Sequence, residues 1–199
     1  MEQTLLKPIR FASQMVDAIR HGKTVTRRLA SFKEQPILDE SGEWHWKDCR
    51  WKDDGQGLPQ SDVEKYAPWK PGDVLWVQED WVEDVFPGYL YRADVVDVPD
   101  FGWKEAESMP RRAARFFLRV TGVRAERLRD SYLDDLEAEG MNIAVGFLYA
   151  ALNFANLWDG FLKLEEMEKY GFDVDPWVWV LTFEQCERPE GWPFEEEIK

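Results

Sequence analysis

One short segment, residues 23–28, concentrates side chains that could carry out acyl chemistry. Lys23, Thr24 and Thr26 lie in it, and two arginines follow directly. In an extended strand, residues an odd number apart point to opposite faces, so Lys23 and Thr26 converge only if the chain turns there. Glu139, beside a glycine at a predicted helix end, supplies a carboxylate. A lysine, a hydroxyl and a carboxylate can support acyl chemistry without a metal, and a surface ion pair is the simpler alternative.

The sequence lacks the other common catalytic motifs. Gly22-Lys23-Thr24 is not the end of a phosphate-binding loop, because position 17 is Asp17 instead of glycine and the triplet closes a predicted helix. No G-x-G-x-x-G, G-x-S-x-G, H-E-x-x-H or C-x-x-C pattern occurs. The two histidines and two cysteines have no familiar zinc spacing. We therefore expect neither a metal nor a cofactor.

The composition is that of an acidic globular protein. The chain has 199 residues, with 39 Asp and Glu against 25 Lys and Arg, which gives a net charge of −14. We expect no broad binding to duplex DNA, because such binding depends on Lys and Arg at the phosphates. We find no apolar stretch of signal-peptide length at the start and no run of about 20 apolar residues that could span a membrane. These features predict a cytoplasmic protein without membrane contact.

Two segments are basic despite the acidic total. Residues 1–30 carry six Lys and Arg against two acidic residues, a net charge of +4, and residues 109–130 carry seven arginines against two acidic residues, a net charge of +5. These segments could converge on one anionic ligand, or they could be solvated faces of a helix and a strand. The eleven tryptophans could likewise stack on bases or pack in the core.

The elements that must position these residues follow from periodicity and turn signals. We predict helices at 11–22 with Ser13 as its cap, at 134–139 and at 147–168, and strands at 23–29, 74–77, 89–93, 115–128 and 177–183. The strand at 115–128 is expected to break near Gly122. This order favours an α+β fold with a mostly antiparallel sheet or barrel.

The remaining segments are expected to be irregular. Residues 31–70 combine glycine, proline and many charges, which predicts a long loop insertion, and residues 94–110 form a second loop. We predict a single domain over residues 1–184, followed by a frayed acidic tail at 185–199.

Six short segments in order resemble one protein family. Residues 21–28 read HGKTVTRR, and further similarity lies at 71–79 (PGDVLWVQE), at 91–94 (YRAD), at 109–111 (MPR) and from 137–140 (EAEG) to 177–180 (WVWV). The first segment resembles the G-[RK]-K-T-x-T-x-R motif of ASCH-domain proteins, a branch of the PUA-like superfamily. The set as a whole is most similar to ASCH-related proteins of bacteriophages and prophages, and it covers most of residues 6–184.

The resemblance implies a fold and an activity. The fold is a small PUA-like (ASCH) β-barrel with flanking helices, here with a long loop insertion, and its cleft suits RNA or a nucleoside. Some small bacterial members remove the acetyl group from N4-acetylcytidine, and others are reported as ribonucleases. Their catalytic Lys, Thr and Glu match Lys23, Thr26 and Glu139. This chain is nearly twice the size of those enzymes because of its two inserted loops.

The resulting expectation is a metal-independent amidohydrolase that removes an acyl group from the exocyclic amine of a cytosine nucleoside or nucleotide. Thr26 would be the nucleophile or would position water, Lys23 would lower the proton affinity of the hydroxyl or stabilise the oxyanion, and Glu139 would shuttle the proton to the leaving amine. The expected substrate-binding residues are Thr24, Arg28, Trp76, Glu79, Trp81 and Arg111. Glu79 is also a second candidate acid, or a strand-end residue paired with a nearby arginine.

Two alternatives stay open. The chain could bind RNA or a modified base without turnover, through the basic segments. It could also be a phage protein that binds a host protein through the acidic, tryptophan-bearing insertion.

Overall fold

The computed structural model describes residues 6–30, 66–83, 88–95, 102–130 and 132–192, and the backbone of 37–38, 43–46 and 49–52. These residues form an α+β fold with three α-helices and three β-sheets, which confirms the predicted class. The described strands do not close into a barrel. No helix in this part of the chain is both long and apolar enough to cross a membrane.

The strands, in chain order, are β1 (Leu6–Arg10), β2 (Val25–Leu29), β3 (Ile37–Leu38), β4 (Glu43–Trp46), β5 (Cys49–Lys52), β6 (Val74–Gln78), β7 (Trp81–Glu83), β8 (Tyr89–Tyr91), β9 (Phe117–Arg127) and β10 (Trp177–Cys186). The main sheet has the order β1-β6-β9-β10-β2. Strand β1 runs parallel to β6, whereas β9 is antiparallel to β6 and β2 is antiparallel to β10. The sheet is therefore mixed.

The helices are α1 (Ser13–Arg20), α2 (Phe147–Gly160) and α3 (Leu164–Tyr170). The chain divides into two compact units. Unit 1 consists of Met1–Thr24, Pro71–Thr121 and Phe183–Lys199, and unit 2 consists of Val25–Lys70 and Gly122–Thr182. Strands β9 and β10 each contribute residues to both units. The single domain over 1–184 stays a prediction.

In unit 1, α1 forms where its apolar spacing predicts. Met15, Val16 and Ile19 are buried on one face, and the helix stops before Gly22, whose φ of 96° is easy for glycine. The cap differs from the prediction: Ala12 is the N-cap, with no side-chain hydrogen bond, and Ser13 is already the first helical residue.

The core of unit 1 extends beyond the predicted strand ends. All five residues of β6 are buried. Trp192 is 1% exposed, and its ring centroid lies 5.7 Å from that of Trp76 and 4.9 Å from that of Phe117. Residues 185–192 of the predicted frayed tail therefore include the end of β10 and a core residue, Trp192, whose ring packs against two other aromatic rings. Residues 193–199 lie outside the described part.

In unit 2, the long predicted helix at 147–168 is two helices separated by a turn. Trp158 Nε1 donates to Tyr170 O at 2.8 Å and Phe172 N donates to Asp159 Oδ1 at 2.7 Å, so the end of α3 returns to the end of α2. The core side of α2 is formed by Ala150, Ala151 and Phe154. Large apolar side chains on and between these helices are exposed, namely Phe147, Phe161 and Leu164.

Strand β9 is continuous, contrary to the break predicted near Gly122. A Cβ built on Gly122 would lie 2.6 Å from Thr182 Oγ1. The glycine therefore marks a close approach of a neighbouring side chain, and the ladder passes through it without interruption.

Two further predictions need correction. Residues 132–140 form hydrogen-bonded turns instead of a regular helix, and they end at Gly140 with φ of 87° as expected. Part of the region 31–70, predicted to be irregular, forms the three-stranded antiparallel sheet β3-β4-β5. Short strands rich in aromatic residues can pair even where charges and glycines surround them.

Candidate functional site

Strand β2 carries a buried arginine that gathers three carboxylates in unit 2. The Arg27 side chain is 1% exposed. Its Nη1 donates to Glu139 Oε1 at 2.9 Å, and its Nη2 donates to Glu126 Oε1 at 3.0 Å and to Asp135 Oδ2 at 2.7 Å. Arg124 donates to Glu126 at 2.7 Å and to Asp135 at 2.5 Å. The guanidinium groups offset the cost of burying these carboxylates, which would be large for unpaired charges.

The Arg27 side chain is buried, whereas that of Arg124 is partly exposed, and the pKa of Arg124 shows the effect of its carboxylate partners. Burial alone would lower the pKa of Arg124, but its hydrogen bonds and charge interactions with Glu126 and Asp135 outweigh burial and raise that pKa. The two ion pairs therefore favour the charged form of Arg124.

The alternation of β2 separates the candidate nucleophile from this cluster. Thr26 is 2% exposed and pairs with Leu181, whereas Arg27 pairs with Val180. Neighbouring residues of a strand point to opposite faces, so the Thr26 side chain leaves the face opposite to Arg27 and its bound Glu139. Arg28, half-buried, shares the Thr26 face and pairs with Trp179.

The backbone nevertheless joins the two elements that carry Thr26 and Glu139. Val25 N donates to Ala138 O at 3.0 Å, next to both residues in the chain. Glu139 is 3% exposed and faces Arg27. The structure therefore brings the two segments together and directs their side chains to different sides of the strand.

Lys23 lies at the end of α1 in unit 1. The backbone N of Lys23 donates to Ala18 O at 2.9 Å, and Lys23 is 3% exposed. Gly22, with φ of 96°, follows the end of α1, and β2 begins at Val25, two residues after Lys23. The neighbouring Thr24 is exposed, and its carbonyl accepts from Phe183 N at 2.9 Å.

A second ionic cluster, in unit 1, surrounds Glu79 and was only partly predicted. The Glu79 side chain is 1% exposed, and Arg115 binds it through two hydrogen bonds of 2.7 Å, from Nε and from Nη2. Arg115 also binds Asp94, through Nη1 at 2.5 Å and Nη2 at 3.1 Å, and Arg20 binds the same carboxylate. Glu79 is therefore paired with an arginine at the end of its strand, and its role as an acid or binding residue stays a prediction.

The aromatic ring of Tyr91 packs against the arginine at the centre of this cluster. The Arg115 guanidinium lies 3.8 Å from the centroid of the Tyr91 ring. Tyr91 donates its hydroxyl to Ala113 O at 2.5 Å, and burial raises the pKa of Tyr91 to about 12. Sequence reasoning missed Arg20, Arg115 and Asp94 as a group. The only available signal was the YRAD similarity at 91–94, which contains both Tyr91 and Asp94.

The tryptophans expected to stack on a base are core residues of unit 1. Trp76 and Trp81 are each 6% exposed. Trp81 Nε1 donates to Ser108 Oγ at 3.2 Å, and Lys104 Nζ lies 4.5 Å from the Trp81 ring centroid. Arg111 is exposed and lies 4.9 Å above the Trp192 ring. Burial leaves little area of either indole for contact with a base. Base stacking by Trp76 or Trp81 stays a prediction.

Comparison with protein-family models, with curated proteins and with solved structures finds no match to this chain. Within the described residues, no group of three or more His, Cys, Asp and Glu side chains is arranged to hold a metal ion. In unit 2, the three gathered carboxylates face the Arg27 guanidinium.

Proposed function

We propose that this chain is a cytoplasmic ASCH-type, PUA-like protein of phage or prophage origin, and that it removes an acyl group from the exocyclic amine of a cytosine nucleoside or nucleotide without a metal. The observation that carries the proposal is the burial of the three motif residues: Lys23 and Glu139 are 3% exposed and Thr26 is 2% exposed. Lysine and glutamate are rarely so buried, and such positions are enriched among functional residues.

The proposed chemistry follows the roles of the motif. The Thr26 hydroxyl attacks the acyl carbon, or positions a water that does so, and Lys23 stabilises the negative charge on the acyl oxygen. Glu139 accepts the proton of the attacking hydroxyl or water. The C–N bond to the exocyclic amine then breaks, and Glu139 passes this proton to the departing amine. Water releases the acid from Thr26 if an acyl-enzyme has formed.

The contact between Arg27 and Glu139 adds a requirement to this mechanism. Because Arg27 holds the carboxylate on the face of β2 opposite to Thr26, Glu139 must either turn away from Arg27 or act through an intervening water. Thr24 and Arg28 lie beside the motif and are the proposed contacts to the base or phosphate. Glu79, Trp76, Trp81 and Arg111 are further proposed binding residues in unit 1.

The test is turnover of N4-acetylcytidine and its 5′-phosphate by EDTA-treated protein, with loss of the acetyl group followed by chromatography. Lys23→Ala, Thr26→Ala and Glu139→Gln should each lower kcat by about a hundredfold or more, as is usual for general acid–base and oxyanion-stabilising groups. The matched controls are exposed residues of the same types, and Lys169→Ala, Thr121→Ala and Glu168→Gln should keep wild-type turnover.

Each outcome has a defined meaning. If wild-type protein releases no acetate from the nucleoside, the nucleotide or acetylated RNA, the amidohydrolase proposal is wrong, and binding of RNA or a modified base without turnover replaces it. If Glu139→Gln retains full activity while Thr26→Ala loses it, Glu139 belongs to the Arg27 cluster alone and another group moves the proton. Circular dichroism of each variant excludes unfolding as the cause of a loss.

A further inference from the structure

We propose that Arg20 and Arg115 form a phosphate-binding site in unit 1, and that Asp94 occupies this site as an internal ligand that a phosphate group can displace. The inference goes beyond the proposed amidohydrolase activity and does not depend on it. It rests on the fixed position of Arg115, on the charge of the cluster and on the exposure of Asp94.

Arg115 is held in place before any ligand binds. Its Nε and one side of Nη2 are bound to the buried Glu79, and its guanidinium plane lies 3.8 Å from the Tyr91 ring centroid. These contacts leave Nη1 and the other side of Nη2 directed at Asp94, to which they donate two hydrogen bonds. A guanidinium group fixed in this way loses little entropy when it binds an oxyanion, and its paired donors fit phosphate as well as carboxylate.

The cluster has a positive charge to offer once Asp94 leaves. Arg20 and Arg115 contribute two positive charges, and Glu79 contributes one negative charge, so the three residues together carry +1. Asp94 brings the cluster to neutrality. A phosphate group near pH 7 carries more negative charge than a carboxylate and has more oxygens, so it can accept from both arginines at once.

Asp94 is the member of the cluster that can be displaced. Its side chain is 37% exposed, whereas that of Glu79 is 1% exposed. It ends a short 3-10 helix, Arg92–Asp94, and the hydrogen bonds of its carboxylate go to Arg20 and Arg115. The side chains of Arg20 and Arg115 are 31% and 22% exposed, so a small anion from solvent can reach both.

An internal ligand of this kind weakens the binding of an external one. If Asp94 leaves the two arginines for only about a tenth of the time or less, the apparent affinity for phosphate is lowered by at least about tenfold. Removal of the Asp94 charge should therefore raise the apparent phosphate affinity by about the same factor. The site therefore predicts tighter phosphate binding when Asp94 is replaced, together with release of Asp94 by phosphate in the wild-type protein, which a permanent ion pair would not show.

The experiment is a titration of the full chain with sodium phosphate, followed by NMR of the arginine side chains at low ionic strength. Asp94→Asn should bind phosphate at least about tenfold more tightly than wild type, and Asp94→Asn combined with Arg20→Gln should lose the gain. The matched control is Asp80→Asn, which removes a carboxylate paired with one exposed arginine, Arg92, at 3.5 Å in the same unit. It should leave phosphate affinity unchanged.

Two further arms complete the test. Titration with sodium acetate at equal ionic strength distinguishes a phosphate site from a general carboxylate site, and equal affinities for the two anions would overturn the proposed preference for phosphate. The wild-type protein is titrated to high phosphate while the Asp94 carboxyl signal is observed, because this measurement does not depend on the folding of any variant. Release of Asp94 supports the proposal. An unchanged Asp94 signal, together with no gain in Asp94→Asn, would overturn it.

Discussion

Asp94 and Glu79 bind the same arginine, but their surroundings shift their pKa values in opposite directions. Partial burial raises the pKa of Asp94, yet the hydrogen bonds from Arg115 and Arg20 outweigh it and hold the pKa below its usual value of 3.8. Burial raises the pKa of Glu79 above 4.5 in spite of two hydrogen bonds from Arg115. Arg115 favours the anionic form of both carboxyl groups, but only at the buried Glu79 does the cost of burial outweigh it.

This difference predicts how stability depends on pH. A carboxyl group whose pKa is lowered in the folded protein stabilises the fold above its unfolded pKa, and the contribution is lost as the pH falls through the folded pKa. We expect Asp94→Asn to lower the free energy of unfolding at pH 7 by no more than about 1 kcal/mol, because the pair is partly exposed. The difference from wild type should shrink below about pH 4 and vanish at lower pH.

Urea denaturation of both proteins between pH 2.5 and 7 is the measurement. Asp173→Asn, at an exposed position of unit 2, is the control and should show no such pH-dependent difference. A difference between wild type and Asp94→Asn that stays constant down to the lowest pH would contradict the lowered pKa. Glu79 contributes with the opposite sign, since the cost of its ionisation appears as the pH rises.

At the same scale, the sequence indicates the types of the candidate residues but not their contacts. Lys23, Thr26 and Glu139 are recognisable from spacing and resemblance. The pairing of Glu139 with Arg27 joins residues 112 positions apart, and Arg115 is 36 positions from Glu79. Only the strand register brings such residues together, and no local pattern contains it.

Among the elements, Gly122 provides the sharpest test of packing. A Cβ at this position would lie 2.6 Å from Thr182 Oγ1, and a β-branched threonine has few rotamers with which to move away. We expect Gly122→Ala to destabilise the protein by about 1 to 3 kcal/mol, which is typical for an overpacked core position. The denaturant midpoint measures the effect.

A double-mutant cycle separates this clash from the other effects of alanine. Thr182→Ala removes the close oxygen, so Gly122→Ala made in that background should cost much less than it does alone. If the cost is the same in both backgrounds, the close approach is not its cause. A strand broken at Gly122, as the sequence predicts, would accept alanine easily.

The elements were predictable where one face is apolar and the other polar. The spacing of Met15, Val16 and Ile19 locates α1 and its buried side. Residues 147–164 are apolar on nearly every side, so their periodicity cannot distinguish buried from exposed positions, and the exposed Leu164 shows the result. The pairing of β1 with β6 and the break between α2 and α3 depend on tertiary contacts that periodicity does not contain.

For the whole molecule, the net charge of −14 is the dominant electrostatic feature. Like charges repel more strongly in the compact state than in the unfolded chain, and salt screens this repulsion. We expect the Tm to rise by several degrees as NaCl increases from 20 to 500 mM at pH 7. Sucrose at equal osmolality is the control for exclusion of solute from the surface. A Tm that falls with NaCl would mean that the ion pairs outweigh the repulsion.

The pairing of β2 with β10 has a consequence for synthesis of the chain. Arg28 lies opposite Trp179, so 151 positions separate the two partners. At about 5 to 20 residues per second, the ribosome makes β10 roughly 8 to 30 s after β2. During that interval β2 lacks β10, the strand with which it pairs in the described part of the chain. The nascent chain therefore carries β2 unpaired for seconds, and the two adjacent arginines of this strand disfavour its pairing with other chains during that time.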